Sequence, residues 1–100
     1  MVKKTGKIWF VYVLECRNKR LYTGITTDLE ARLQKHKTGK GAMFTRLNPP
    51  SHFIGAAVCA DRSAASRQEA AIKKLSAAEK RALAATWPAR VQAAPGSTTV

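Results

Sequence analysis

Hydrophobic positions cluster in three short segments that predict β-strands. Residues 8–16 are mostly β-branched and aromatic, with no polar position before Glu15, a pattern typical of a central strand buried on both faces. The polar residues 17–20 predict a turn, and residues 21–25 are then the hairpin partner. Residues 53–60 predict a third, short strand.

Capping signals indicate the first helix. Thr27 and Glu30 have the spacing of a capping box, in which each side chain bonds a free backbone donor, so a helix is expected to start at Asp28. The glycine-bearing stretch 38–41 ends this helix and opens a loop that runs to Pro50.

Two further helices follow the third strand. An alanine-rich segment from Asp61 or Ser63 to about Leu75 predicts one of them. Ser76 and Glu79 repeat the capping-box spacing and begin the other, which ends near residues 87–88, where proline cannot continue a helix. The order ββαβαα predicts a small α/β layer fold.

The chain is expected to form one domain with short flanking segments. Residues 1–7 are a basic lead without periodicity, residues 8–87 are the domain, and residues 88–100 read as a disordered tail. A domain of this size can bury a core without disulfides or metals.

Charge adds the first functional information. The 100 residues include 18 Lys and Arg against 6 Asp and Glu, a formal net charge of 18 − 6 = +12, with a pI near 10.4. Such an excess favours a polyanionic partner, most often nucleic acid, because cations that neutralise phosphates release counterions. A ribosome-associated protein and a merely solvated basic surface are the alternatives.

The apolar runs and the cysteines point to the cytoplasm. The run at residues 8–14 is too short for a membrane span and lacks a cleavage site for a signal peptide, so we expect no membrane association. Cys16 and Cys59 lie in apolar runs without a metal-ligand spacing, which favours buried free thiols in a reducing compartment.

The residues able to do chemistry are spread over the predicted elements. Tyr12 lies in the first strand, and Tyr22 and Gly24 lie in the second. The spacing of Arg32 and His36 places both on one face of the first helix. Glu69 falls on the inward side of the second helix, where a carboxylate is costly unless it is paired or holds a metal.

Strand parity sets a condition on this arrangement. Side chains alternate between the two faces of a sheet, so Tyr12 and Tyr22 share a face only if the hairpin loop has an odd number of residues. Residues 18–20 would be such a loop.

Taken together, these residues resemble the GIY-YIG nuclease superfamily over about residues 8–75. The resemblance rests on Phe10-Val11-Tyr12, Tyr22-Thr23-Gly24, Arg32, His36 and Glu69 in that order. It is strongest to the small stand-alone bacterial branch, the YhbQ-like proteins, which are related to the N-terminal nuclease domain of the excision-repair protein UvrC. It implies a small mixed three-stranded sheet flanked by helices.

The resemblance also implies a reaction and roles for these residues. The reaction is hydrolysis of a DNA phosphodiester with one Mg²⁺ or Mn²⁺ ion. Tyr12 or Tyr22 would orient or deprotonate the water, Arg32 would neutralise the developing charge, and Glu69 would hold the metal. His36 would be a proton shuttle or general base, and the choice between His36 and a tyrosine stays open. Gly24 would be structural, since a side chain there would block the substrate or a helix.

The expected function is therefore a structure-directed DNA endonuclease, with DNA repair suggested by family analogy. The chain departs from the family pattern at several positions, not all of which bear on activity. Phe10 and Thr23 replace residues that carry no chemistry, but residues 79–84 lack an asparagine found in several branches, which predicts weak turnover. The alternatives are a weakly active or inactive DNA-binding module of the same fold and an RNA-binding protein.

Overall fold

The computed structural model describes residues 8–87 and contains one three-stranded sheet. The strands are β1 (Trp9–Cys16), β2 (Leu21–Thr26) and β3 (Pro50–Cys59), in the order β2-β1-β3. The predicted central position of the first strand is confirmed, and the third strand begins three residues earlier than predicted. The predicted basic lead and disordered tail lie outside the described residues.

The sheet is antiparallel throughout, which corrects the expected mixed sheet. Both β2 and β3 pair with β1 in antiparallel register. Strand β3 runs in the same direction as β2 but pairs with the opposite edge of β1. The two parallel strands are therefore separated by β1 and share no hydrogen bonds.

Within residues 8–87, four helices accompany the sheet: α1 (Leu29–Lys37), α2 (Met43–Leu47), α3 (Arg62–Lys73) and α4 (Ala77–Ala85). Three of them correspond to the predicted helices. The short helix α2 lies in the segment predicted to be a loop. Its apolar residues Met43 and Leu47 are exposed, so the sequence carries no amphipathic stripe there to predict a helix.

The two faces of the sheet bury different side chains. One face packs against α3 and α4 through the buried residues Val11, Val13, Ile72 and Ala84. The other packs against α1 through Tyr12, Leu14, Leu29 and Ala56. This second face buries a tyrosine hydroxyl among its apolar side chains, so this is where a polar site can form.

The β1–β2 hairpin has the predicted odd loop, shifted by one residue. The backbone N–H of Cys16 donates to the carbonyl of Arg20 at 2.8 Å, which leaves a three-residue loop of residues 17–19. Lys19 closes the loop in the left-handed region, with φ of 73°. Tyr22 pairs with Leu14, so Tyr22 lies on the same face as Tyr12, and the condition for a shared site is confirmed.

Two remaining expectations have mixed outcomes. Cys16 and Cys59 are both free, but only Cys16 is buried and Cys59 is half-buried at the end of β3. Within residues 8–87, no helix is long and apolar enough to cross a membrane.

One helix start is predicted correctly and another is not. At α4 the capping box forms, since Ser76 and Glu79 bond each other's backbone N–H groups. At α1 the N-cap is Asp28, whose carboxylate accepts from the backbone N–H of Ala31 at 3.0 Å. Thr27 is therefore not the cap, because the adjacent carboxylate satisfies the free helix donor instead.

The two candidate caps of α1 can be distinguished by mutation. We expect Asp28→Ala to lower the free energy of unfolding by about 1 kcal/mol, because it removes the acceptor for a free helix N–H. Thr27→Ala should change it by no more than a few tenths of a kcal/mol. Urea unfolding of both variants measures the difference, and equal losses would contradict the assignment.

Candidate active site

A buried hydrogen-bonded chain joins β1, α1 and α2. The Tyr12 hydroxyl lies 2.9 Å from Nε2 of His36, and Nδ1 of His36 lies 2.7 Å from Oγ1 of Thr45. Tyr12 is 0% exposed and His36 and Thr45 are each 1% exposed. Tyr12 and His36 thus meet as the sequence predicts, but they lie behind the surface of the site.

Tyr22 is the tyrosine nearer to solvent. It is half-buried, and its ring packs edge-on against His36 with centroids 5.1 Å apart. Phe44 of α2 stacks on its other side at 5.9 Å with an interplanar angle of 29°. The Tyr12 and Tyr22 ring centroids are 6.3 Å apart, so the two strand tyrosines belong to one cluster.

Arg32 of α1 lies beside both tyrosines. Polar contact with Tyr12 raises the pKa of Arg32 against the opposing effect of burial, and Tyr22 contributes in the same direction. Its Nε is buried and finds no partner among residues 8–87. A buried guanidinium donor without a partner is unusual, because such groups are nearly always hydrogen-bonded.

Burial determines the charge states of the buried pair Tyr12 and His36. Burial raises the pKa of Tyr12 to about 12, although the positive charge of Arg32 opposes the shift. Burial, assisted by the charge of Arg32, lowers the pKa of His36 to about 4. At neutral pH the pair is therefore a neutral phenol and a neutral imidazole.

Glu69 reaches the site from the edge of the sheet. Helix α3 packs against β1 and β2, and Glu69 is close enough for its charge to act on the Tyr12 hydroxyl. Its carboxylate lies 3.2 Å from Nζ of Lys73, whose ammonium in turn lies 5.9 Å from the centre of the Tyr22 ring. The Glu69 side chain is 24% exposed, so it lies at the border of the core and not inside it.

The role expected for Gly24 needs correction. Gly24 pairs with Tyr12 across the strands, and a Cβ at this position would lie 2.5 Å from the Tyr12 hydroxyl oxygen. The absence of a side chain thus makes room for the Tyr12 hydroxyl, which comes from the neighbouring strand and not from a helix.

Among the described residues, Glu69 is the group through which this site could hold a divalent cation. Among residues 8–87, no three His, Cys, Asp or Glu side chains lie close enough together to hold a metal. Glu69 alone can offer a carboxylate, and Mg²⁺ accepts one or two carboxylates while keeping most of its waters. The buried, unpartnered Nε of Arg32, beside the two tyrosines, suits the phosphate that would supply further oxygen ligands.

Two site residues were missed from the sequence. Thr45 and Phe44 lie on α2, where no helix was predicted. The i, i+4 spacing of Glu69 and Lys73 also allows an ion pair as an alternative to a metal, and this pair is present at 3.2 Å.

His52 lies at the other end of the sheet. It is 3.5 Å from the Glu15 carboxylate, which also binds Arg81 of α4 at 2.9 Å. Arg81 further donates to the backbone carbonyl of Lys19, so α4 is tied to the hairpin here. This cluster is structural and separate from the tyrosine site.

Comparison with known proteins agrees with this geometry. The sequence profile of the GIY-YIG catalytic domain matches residues 8–82. The chain therefore belongs to the GIY-YIG family, and the tyrosine site lies in a nuclease-type domain.

More closely, the chain is similar to small proteins of the UPF0213 group. UPF0213 protein XAC3202 of Xanthomonas axonopodis pv. citri is 46% identical over 85 residues, which is 85% of this chain and 83% of that protein. UPF0213 protein NMB0361 of Neisseria meningitidis is 45% identical over 75% of this chain and 82% of its own. The solution NMR structure of UPF0213 protein BH0048 from Bacillus halodurans is 34% identical, with a TM-score of 0.51, and the match covers 92% of this chain and 99% of that one.

Proposed function

We propose that this protein is a metal-dependent endonuclease that hydrolyses DNA phosphodiester bonds. The observation that carries the proposal is Arg32, whose buried Nε has no partner among the described residues although it lies beside two tyrosines. One of them, Tyr12, is also within reach of the charge of Glu69. A phosphate oxygen would complete this donor, and a guanidinium binds phosphate with both geometry and charge.

The burial of the two tyrosines divides their roles. Tyr12 is fully buried and stays protonated because its pKa is raised to about 12, so its hydroxyl cannot take a proton from water. Tyr22 is nearer to solvent and next to the cations Arg32 and Lys73, so it is the group we assign to orient or deprotonate the attacking water. His36, also buried, holds Tyr12 and does not meet the water directly.

Glu69 is the residue that would hold the metal, Mg²⁺ or Mn²⁺ as a single ion. When bound, the ion would neutralise charge on the phosphate and its leaving oxygen. Lys73 competes for the same carboxylate at 3.2 Å and would have to turn away toward solvent or the DNA. In the cleavage step, the water oxygen bonds to phosphorus and loses a proton, the P–O3′ bond breaks, and the leaving O3′ gains a proton, so that a 5′-phosphate and a 3′-hydroxyl result.

The surface around the site favours DNA as the substrate. Several exposed cations lie on α1, on α2 and between them: Lys35, Lys37, Lys40 and Arg46. Their charge suits a phosphate backbone and reads no bases, so target choice would come from DNA structure, as in a repair enzyme of the cytoplasm. The free thiols Cys16 and Cys59 agree with that reducing compartment.

The test is cleavage of labelled single-stranded, duplex, flap and branched DNAs with Mg²⁺, Mn²⁺ or EDTA. We expect metal-dependent cutting of at least one structure and none in EDTA. Titration of Mn²⁺ followed by calorimetry should show one site in the wild type and none in Glu69→Gln, with Glu30→Gln as the control carboxylate on an exposed position of α1.

The contrary outcome defines the second candidate function. The Glu69–Lys73 ion pair and the lack of an asparagine in residues 79–84 favour a binding module that cuts poorly or not at all. DNA binding without cutting under any metal would support it. Tighter binding to an RNA duplex than to the same DNA duplex at equal salt would instead support an RNA partner.

A further inference from the structure

The hydrogen bonds of Thr45 determine which ring nitrogen of His36 carries the proton in the buried series Tyr12–His36–Thr45. Its hydroxyl lies 3.0 Å from the carbonyl of Ala42, to which it can only donate. A hydroxyl has one proton, so toward Nδ1 of His36, at 2.7 Å, Thr45 can only accept. Nδ1 of His36 therefore carries the imidazole proton.

The direction of the next bond follows from the first. With its proton on Nδ1, the neutral ring has an acceptor at Nε2, so the Tyr12 hydroxyl donates to His36 across 2.9 Å. The oxygen of Tyr12 then keeps its lone pairs for other donors, and Arg32 is the cationic donor beside it. Thr45 thus acts on Arg32 through two intervening side chains.

Because these side chains are buried, water does not compete for their hydrogen bonds. Tyr12, His36 and Thr45 are each at most 1% exposed, so none can exchange its partner for bulk water without cost. The backbone of Gly41 covers Nδ1 of His36 so closely that a Cβ there would overlap the ring nitrogen. The three residues come from β1, α1 and α2, so the chain is fixed by three elements.

We propose that Thr45 is a positioning residue of the active site: it holds His36 in the Nδ1–H tautomer and thereby turns the Tyr12 oxygen toward Arg32. The structural part stands on the hydrogen bonds alone. The catalytic part rests on the proposed nuclease function, since it concerns how Arg32 is held for the phosphate.

The test compares Thr45→Val with Thr45→Ser. Valine has a similar shape but no hydroxyl, whereas serine keeps both hydrogen bonds. Thr86→Val is the matched control, because the Thr86 hydroxyl also donates to a carbonyl three residues earlier, at 2.7 Å, but is exposed at the end of α4. Two quantities are measured: the protonated ring nitrogen of His36 by ¹⁵N NMR, and single-turnover cleavage with separate measurement of DNA affinity.

In the wild type we expect the proton on Nδ1. In Thr45→Val it should move to Nε2, and the cleavage rate should fall about ten- to hundredfold with unchanged DNA affinity. Thr45→Ser and Thr86→Val should keep the wild-type tautomer and a rate within about twofold of the wild type.

Several results would overturn the proposal. A wild-type His36 protonated on Nε2 would refute it without any variant, so it stays testable even if Thr45→Val does not fold. Wild-type cleavage by Thr45→Val, or an equal loss in Thr86→Val, would refute the catalytic part. If the wild type cuts no DNA, the proposed function fails, whereas the NMR spectrum still decides the tautomer.

Discussion

Replacing Arg32 by lysine is expected to lower the rate of DNA cleavage by about 10²- to 10³-fold, the usual loss on removing one donor to transition-state charge. Lysine keeps the positive charge but loses the planar fork that can contact a phosphate and the tyrosines at once. The unpartnered Nε is lost as well, and it is the atom we assign to the phosphate. Single-turnover cleavage at saturating enzyme measures the effect.

The control for this change is Arg67→Lys. Arg67 is an exposed arginine of α3 that donates to the Ser63 hydroxyl at 2.8 Å, outside the tyrosine cluster. Its replacement should leave the rate within about twofold of the wild type. Fluorescence anisotropy in EDTA should show near wild-type DNA affinity for both variants, because the net charge is unchanged. A similar rate loss in both, or none in Arg32→Lys, would show that Arg32 has no special role.

The part of the site that lies on regular elements could be predicted from the sequence. Strand parity placed Tyr12 and Tyr22 on one face, and the odd hairpin loop confirms it. Helical spacing placed Arg32 and His36 together, and both contact the tyrosines. These predictions rest on periods of two and 3.6 residues, which neighbouring elements do not alter.

The rest depends on contacts that no local pattern records. Helix α2 is one turn long and its apolar residues Met43 and Leu47 are exposed, so nothing in residues 43–47 indicates that Thr45 is buried against His36. At the start of α1, the capping-box spacing predicted Thr27 as the cap, whereas the path of the chain makes the next residue, Asp28, the N-cap. For Gly24 the reason was misread because the partner that needs the space lies on another strand.

The aromatic cluster links these separate observations. Phe44 stacks on Tyr22 while Thr45, the next residue, bonds His36, so helix α2 touches both the outer and the inner part of the site. The short helix therefore contacts both the half-buried Tyr22 and the fully buried His36. The segment that was predicted to be a loop thus lines one side of the candidate active site.

The second large effect concerns pH and the stability of the fold. The pKa of His36 is about 4 in the folded protein, against an ordinary value of 6.5, because burial and the charge of Arg32 both oppose protonation. The unfolded chain binds this proton more readily. The contribution of neutral His36 to the stability of the fold is therefore complete above about pH 6.5 and is lost as the pH falls toward 4. Between pH 7 and 5 this linkage amounts to about 2 kcal/mol of unfolding free energy.

Urea unfolding at pH 7, 6 and 5 measures this loss, with His36→Gln as the variant that cannot titrate there. We expect its stability to change much less over this range. His52→Gln is the control for replacing a histidine outside the buried hydrogen-bonded cluster, since its side chain is 59% exposed. The carboxylate Glu15 has a lowered pKa because of Arg81, so its loss falls below this window. An NMR titration midpoint for His36 near 6.5 would contradict the prediction, because the folded and unfolded chains would then bind the proton equally well.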